Sequence, residues 1–372
     1  VGLFANHHRN LVWKKLFLSF FSAAIGSLGL ILVVWTIEFD FIGRLAIFKM
    51  VGLTGLSVFL FLVFLIGLNR GNPWRVLPLL SEGRLGEIKK SQKLTHDKIE
   101  WLPFNFNVHS GCIVELSKKE AIDLVLVDSE HQELDVMALL SSGVRVMGVS
   151  AFWETFAHKI PHSEINKSWL TKLDLRQRDP VVRRVKRLLD MLVSSIGLIL
   201  LSPLLVCSCL AIALESGFPV FFKQKRSGYL GRPYNLYKLR TMTPNAEKDG
   251  AQWATQGDDR VTLVGRFLRR LRIDEIPQFW NVIKGEMSVV GPRPERPELE
   301  EEIVKKLPYW NCRYLLKPGI TGWAQIKYRY ASDIESSDEK LSYDLFYVKN
   351  SSFFLDLEII LSTLRSLMKG SR

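Results

Sequence analysis

Residues Met191–Leu214 read MLVSSIGLILLSPLLVCSCLAIAL, 24 residues without a charge. As a helix this stretch is long enough to cross about 30 Å of hydrocarbon. Its flanks argue against a simple crossing. Arg183, Arg184, Lys186 and Arg187 precede it, and Lys223, Lys225 and Arg226 follow. Positive charge on both sides favours both ends lying on the cytoplasmic side. Pro203 sits in the middle, preceded by Ser202. A central proline removes one helical hydrogen bond and bends the axis, and the serine hydroxyl is able to satisfy the released carbonyl. The reading is a re-entrant helix over 187–214 that enters and leaves by one leaflet, with a proline-kinked spanning helix as its competitor.

The rest of the chain supports a membrane setting. Its 372 residues leave room for two or three domains, and 47% of them are hydrophobic, high for a wholly soluble protein. The net charge of +12 points to anionic partners, a description that nucleic acid, lipid headgroups and sugar nucleotides all satisfy. A nucleic-acid binder should interleave aromatics with its cations or present a recognition helix, whereas these cations sit beside an apolar helix, so no nucleic acid is expected. Cys112, Cys207, Cys209 and Cys312 form no CxxC pair, which argues against a zinc site or a disulfide framework and fits reducing surroundings for the soluble parts.

Upstream, Leu16–Trp35 and Met50–Leu68 are uncharged runs of span length, read as a transmembrane helical hairpin within 1–72. Arg9, Lys14 and Lys15 before the first, and Arg70 and Arg75 after the second, put both outer flanks in the cytoplasm. The segment 73–173 reads as a soluble α/β unit, with parallel strands expected within Ala121–Val127 and Val144–Val149. It lacks a G-x-G-x-x-G after a strand, so a structural or regulatory role fits it better than a working dinucleotide site. A charged linker, Asp174–Pro180, opens the third region, 174–372.

That region carries the residues suited to phosphate. Lys238 and Arg240, two apart in KLRTM, point to one face if extended. Pro292 in GPRP fixes a turn that presents Arg293, a guanidinium able to grip phosphate bidentately. Between them, Arg266, Arg269, Arg270 and Arg272 lead directly into Asp274-Glu275 and Pro277. The residues alone fit two readings: cations hold a diphosphate while one carboxylate attacks and the other binds a metal, or a basic surface helix is neutralised by following acids. All seven histidines lie before residue 174, so no histidine triad is available here. LDLEIILSTLRSLM at 355–368 is either an interfacial helix or one packed on the core.

Residues 183–370 closely resemble the bacterial sugar transferases, or monotopic phosphoglycosyl transferases. The likeness runs through the basic lead-in, Ser202-Pro203, KLRTM at 238–242, RIDEIPQFWNVIKGEMSVVGPRP at 272–294 and KPGITGWAQ at 317–325. The hairpin and a degenerate, Rossmann-like middle domain resemble the family's large form, and Gly250–Trp253 with GPRPERP resembles its exosortase-associated exopolysaccharide subgroup. Large-form members have four amino-terminal spans, so the natural start is expected upstream of Val1. The fold class implied is an α/β membrane protein with a monotopic catalytic domain, a re-entrant helix and interfacial helices.

The resemblance further implies transfer of a sugar-1-phosphate from a UDP-sugar to polyprenyl (undecaprenyl) phosphate with release of UMP, at the cytoplasmic face of the bacterial inner membrane, initiating exopolysaccharide or O-antigen assembly. Asp274 would be the covalent nucleophile and Glu275 a Mg2+ ligand. Lys238, Arg240, Arg269 and Arg293 would neutralise phosphate, with Arg266, Arg270 and Arg272 as competitors for that role. A homodimer is plausible on the large-form likeness. A non-catalytic membrane scaffold or regulator of polysaccharide assembly is the alternative.

Overall fold

The computed structural model describes residues 73–91, 99–103, 115–116, 119–128, 135–165, 167–171, 173, 179–244, 246, 258–328 and 334–368. The expected hairpin at 16–35 and 50–68, and the segment 250–253, lie outside them. Packing divides the chain into one compact unit ending at Ala157 and another beginning at His158.

The first unit is built on a parallel sheet. Its elements are β1 (Trp74–Leu79), α1 (Glu82–Ser91), β2 (Ile99–Trp101), β3 (Leu124–Val127), α2 (Val136–Ser141), β4 (Arg145–Gly148) and α3 (Val149–Phe152), the last continued by a π-helical turn through Ala157. The strand order is β2-β1-β3-β4, and every neighbouring pair is parallel. Parallel strands covered on both faces read as unbroken apolar runs rather than as alternating ones. The two faces separate with period two: Val76, Leu124 and Leu126 pack with Phe152 and Phe156, while Leu77, Leu79 and Val125 pack with Leu139 and Val144.

The second unit starts earlier than the composition shift near residue 174. Ile160 and Ile165 are buried in its main core with Trp310, Trp323, Leu341 and Tyr347, which draws 158–165 into it. After α4 (Lys167–Thr171) comes α5 (Pro180–Ser216), capped by the Asp179 side chain accepting from Val181 N at 2.8 Å. This is the one helix among the described residues with the length and apolar character to cross a membrane, and only 11% of its most apolar window is buried. A core helix of a soluble protein would be mostly covered. Leu188, Leu192, Ile196, Ile199, Leu200, Val206, Leu210 and Leu214 are all exposed.

α5 runs through Pro203 without interruption. The carbonyl left free by the proline is that of Ile199, and Ser202 Oγ donates to it at 2.8 Å. Both ends of the helix are fastened to the same unit. Toward the start, Asp190 Oδ1 accepts from Val289 N at 3.1 Å, and Arg187 donates to Val282 O and Ile283 O at 2.5 and 2.6 Å. At the other end Glu215 accepts from Val264 N at 3.1 Å.

The antiparallel ribbon β5 (Phe221–Ser227) and β6 (Pro233–Leu239) is followed by α6 (Leu263–Arg270), a 3-10 turn at Ile273–Glu275, α7 (Gln278–Lys284) and β7 (Ser288–Val290). Of these, α6, α7 and β7 pack on α5. Then come α8 (Pro297–Lys306), β8 (Gly319–Thr321), α9 (Trp323–Lys327), α10 (Ile334–Asn350) and α11 (Phe353–Met368). β7 and β8 pair in parallel. The 355–368 segment divides its faces: Leu355 and Ile359 are in the core, while Leu361 and Leu364 stay exposed.

Candidate functional site

Thr262 Oγ1 starts α6 by accepting from Gly265 N at 3.0 Å. Gly265 itself is required by proximity, since a Cβ there would land on the Thr241 carbonyl. α6 ends at Arg270, and two residues on Arg272 takes a left-handed conformation (φ 55°, ψ 24°) that turns the chain into Ile273–Glu275. A non-glycine residue held there costs on the order of 1–3 kcal/mol and persists only where its surroundings over-determine it. The anchors are Ile273 and Ile276, both buried against Ile212 with Leu201, Leu205 and Cys209 of α5. Asp274 and Glu275 lie between those anchors, so the exposed apolar helix directly supports the carboxylate pair.

Both carboxylates are buried, at 7% and 8% exposure. Glu275 Oε1 meets Arg293 Nη2 at 3.1 Å and Lys238 Nζ at 3.4 Å, while Oε2 meets Arg272 Nη1 at 3.4 Å. Arg269 is aimed by its Nε donating to Thr241 Oγ1 at 2.8 Å, and its charge acts on Asp274. Lys238, Arg269 and Arg293 are thus brought together with the acidic pair, and Arg272 joins them. Arg266 and Arg270 point outward. Arg240 is taken elsewhere: its Nη2 donates to Ser216 O, Ser216 Oγ and Gly217 O at 2.8, 2.8 and 2.6 Å, closing the end of α5. Pro292 contributes through its carbonyl, which accepts from Gly319 N at 2.9 Å. Gly291 and Gly319 approach so closely that a Cβ on either would strike the other's backbone. This crossing sets the turn that carries Arg293.

Burial pushes both acids upward, yet their net shifts are opposite. Desolvation dominates at Asp274 and raises its pKa above the usual carboxylate value, with Glu275 adding repulsion against the relief from Lys238, Arg269 and Arg293. Burial thus outweighs the neighbouring cations at this residue. At Glu275 burial also pushes upward, but Arg293, Lys238 and Arg272 together bring the pKa down to about 2.

A small cleft beside the pair is lined by Arg226, Leu236, Lys238, Gln278, Arg293, Pro294 and Gly319. Arg226 escaped sequence reasoning. It is mostly buried, donates to Pro294 O at 3.3 Å and to Gln224 Oε1 at 2.7 Å, and its Nε has no partner among the described atoms. Its alternation with Gln224 and Lys225 on β5 carried no signal that it faced inward. Two further residues support the site from behind. Arg313 Nη2 donates to Arg293 O at 2.8 Å and to Asp344 Oδ2 at 2.6 Å. Asn281 accepts from Tyr237 N at 3.1 Å and donates to Asn235 O at 2.7 Å, tying α7 to the strand that holds Lys238.

These residues fit a Mg2+ ion of the kind that takes one or two carboxylates and completes its shell from substrate phosphate and water. The ion pairs at Glu275 are longer than tight charge-assisted bonds and leave its oxygens open to a harder cation. Among the described residues no group of three or more His, Cys, Asp or Glu forms a self-sufficient metal cage, so a metal here would draw the rest of its shell from outside the protein.

The class that emerges is an α/β unit seated on an exposed apolar helix, with an acidic pair in a cationic cleft suited to phosphate. The chain belongs to the bacterial sugar transferase family, whose model matches residues 181–370. It is 38% identical over 227 residues, 61% of this chain and 53% of the relative, to the UDP-N-acetylgalactosamine-undecaprenyl-phosphate N-acetylgalactosaminephosphotransferase of Aeromonas hydrophila. It is 44% identical over 180 residues, 48% of this chain and 39% of the relative, to the UDP-glucose:undecaprenyl-phosphate glucose-1-phosphate transferase of Klebsiella pneumoniae. Over 270 residues, 68% of this chain and 51% of the relative, it is 40% identical to the undecaprenyl-phosphate glucose phosphotransferase of Komagataeibacter xylinus. The chain spans about half the length of these relatives, or less.

Proposed function

We propose that the protein transfers a sugar-1-phosphate from a UDP-sugar to undecaprenyl phosphate at the cytoplasmic face of a bacterial inner membrane, as the first step of a surface polysaccharide. The observation that carries this reading is the burial of Asp274 among Lys238, Arg269 and Arg293, on a turn anchored to α5. An isoprenoid acceptor keeps its tail in the bilayer, so its phosphate meets only a nucleophile held at headgroup depth. The exposed apolar surface of α5, with both ends on one unit, supports a helix that re-enters rather than crosses.

The chemistry proceeds in two displacements. A carboxylate oxygen of Asp274 attacks the sugar-bearing phosphorus, the bond to the bridging oxygen breaks, and UMP leaves with that electron pair. The acceptor's phosphate oxygen then attacks the same phosphorus and expels the Asp274 carboxylate, giving polyprenyl-diphosphate-sugar. Arg293, Lys238, Arg269 and Arg226 hold the phosphate oxygens and offset the charge that develops on them. When bound by Glu275 and the diphosphate, Mg2+ would supply Lewis-acid stabilisation of the departing UMP. The names of the relatives favour UDP-glucose or UDP-N-acetylgalactosamine as first donors to try. The parallel order β2-β1-β3-β4 supports a degenerate Rossmann-like role for the first unit, and a homodimer belongs to the same proposal.

The test is UMP release from the UDP-sugar with no acceptor present. A covalent route gives up to one equivalent per active site and an acid-trapped phosphosugar on the Asp274 peptide. Release only when both substrates are present, with no adduct, would replace it by direct transfer in a ternary complex.

A further inference from the structure

Away from the catalytic cleft, three cations converge where α5 passes the end of α7. Gly285 closes α7 in a left-handed conformation. A Cβ placed there would lie 3.5 Å from Arg187 Nη2 and 3.6 Å from Lys317 Nζ, so both heads border one point. Arg183, one turn before Arg187 on α5, acts on the same lysine. One acid acts on this lysine against the two arginines: Asp190, whose Oδ1 also accepts from Val289 N. Lys186 is paired with Asp356 at 2.6 Å and so lies outside the cluster. Among the described contacts, the side chains of Arg183 and Lys317 have no hydrogen-bond or ion-pair partner. Half-burial lowers the pKa of Lys317, Arg187 lowers it further, and Asp190 offsets part of this before Arg183 adds to it. Like charges gathered in a half-buried place repel one another unless an anion joins them.

Leu188, Leu189 and Leu192 are exposed on the same stretch of helix, so this cluster sits where apolar surface begins. We propose that Arg183, Arg187 and Lys317 form a seat for the phosphate of an anionic phospholipid headgroup, separate from the substrate cleft. Arg187 reaches the ligand with the edge left over from its bonds to Val282 O and Ile283 O, Lys317 supplies a point charge, and Arg183 closes the seat from the solvent side. The acyl chains lie against the leucines. The proposal rests on α5 facing the membrane, and the test separates the two ideas.

The full-length protein in neutral detergent is titrated with phosphatidylglycerol, phosphatidylcholine or inorganic phosphate, and thermal unfolding is followed. Phosphatidylglycerol should raise the melting temperature most. Lys317→Gln and Arg183→Gln should each weaken its apparent affinity about fivefold, the effect expected of one cation near an anionic surface. Lys305→Gln, on α8, is the control and should leave the affinity unchanged. If Lys305→Gln weakens it equally, the attraction is diffuse and the seat does not exist. An equal shift with inorganic phosphate would also overturn the proposal, since it would show a free-anion site with no use for lipid. Equal stabilisation by phosphatidylcholine, kept in both variants, would leave the membrane-facing helix standing and remove the charge-specific seat. Arg183→Gln is a surface change on an intact helix, so it reads out even if Lys317→Gln folds poorly.

Discussion

The two units of this chain are built on opposite principles. Among the described residues, every buried polar or charged side chain lies in the second unit, from Lys159 onward. The first unit buries apolar side chains on both sheet faces and keeps its ion pairs, such as Arg75 with Glu100 and Glu120, partly in solvent. Pairs of that kind contribute little to stability. In the second unit the turn 293–295 is clamped by buried or half-buried cations from three elements: Arg313 on the Arg293 carbonyl, Arg226 on the Pro294 carbonyl and Lys340 on the Glu295 carboxylate. Burying charge is unfavourable unless it is matched. A unit that does so throughout has given up stability to hold charges in place.

The sharpest test of this contrast is Asp274→Asn. Loss of the nucleophile should lower UMP release on the order of 10^4-fold or more. The same change should raise the melting temperature at neutral pH. Because the folded pKa is raised, ionised Asp274 favours folding least above that pKa; its contribution is fully present below the unfolded value and is lost as pH rises. Removing the charge therefore stabilises the fold.

Glu275→Gln should do the reverse to stability. Its folded pKa of about 2 means that the contribution is present above the unfolded value and lost as pH falls through about 2. Wild type should exceed the variant in thermal stability at pH 7, and the gap should narrow steadily below about pH 4. Turnover should fall about 10^2 to 10^3-fold. If both substitutions move the melting temperature the same way, the opposed electrostatics of the pair are wrong.

Arg313→Met tests the support. It strands Asp344, and losing one partner of a buried pair costs about 3–5 kcal/mol by denaturant unfolding. Its effect on turnover should be smaller than that of either acid, and should fall on kcat, since Arg313 reaches the cleft through the Arg293 carbonyl.

The smallest effect on chemistry belongs to the first unit. Leu126→Ala should destabilise that unit by about 2–5 kcal/mol while leaving UMP release per folded molecule near wild type. A chain beginning at His158 should retain turnover. One beginning at Arg178 lacks Ile160 and Ile165 and should unfold at lower temperature. Loss of activity in the His158 chain, if it folds, would assign the first unit a part in the site.

The sequence alone made much of this legible. The long apolar helix, the strands at 124–127 and 145–148, the Asp274-Glu275 pair and Arg293 announce themselves through composition, unbroken apolar runs and motif. The satisfied carbonyl at Ile199 follows from Ser202 and Pro203 standing side by side. What stayed hidden depends on tertiary direction. Nothing local sends Arg240 to the end of α5 while Lys238, two residues earlier, reaches Glu275. Arg226, Thr241 and Arg313 act through groups tens of residues away. The sign at Asp274 was hidden for the same reason, because desolvation is a property of the fold and neighbouring arginines are a property of the string.

Ile273 and Ile276 fasten the turn that carries Asp274 and Glu275 to α5 itself, with no flexible tether between them. On the proposed reading, the depth of the reacting phosphorus is then ruled by how that helix settles in its lipid. Bilayer thickness becomes a setting of the enzyme. A membrane a few ångströms too thin or too thick would alter how often an acceptor phosphate, diffusing in two dimensions, arrives at the right height.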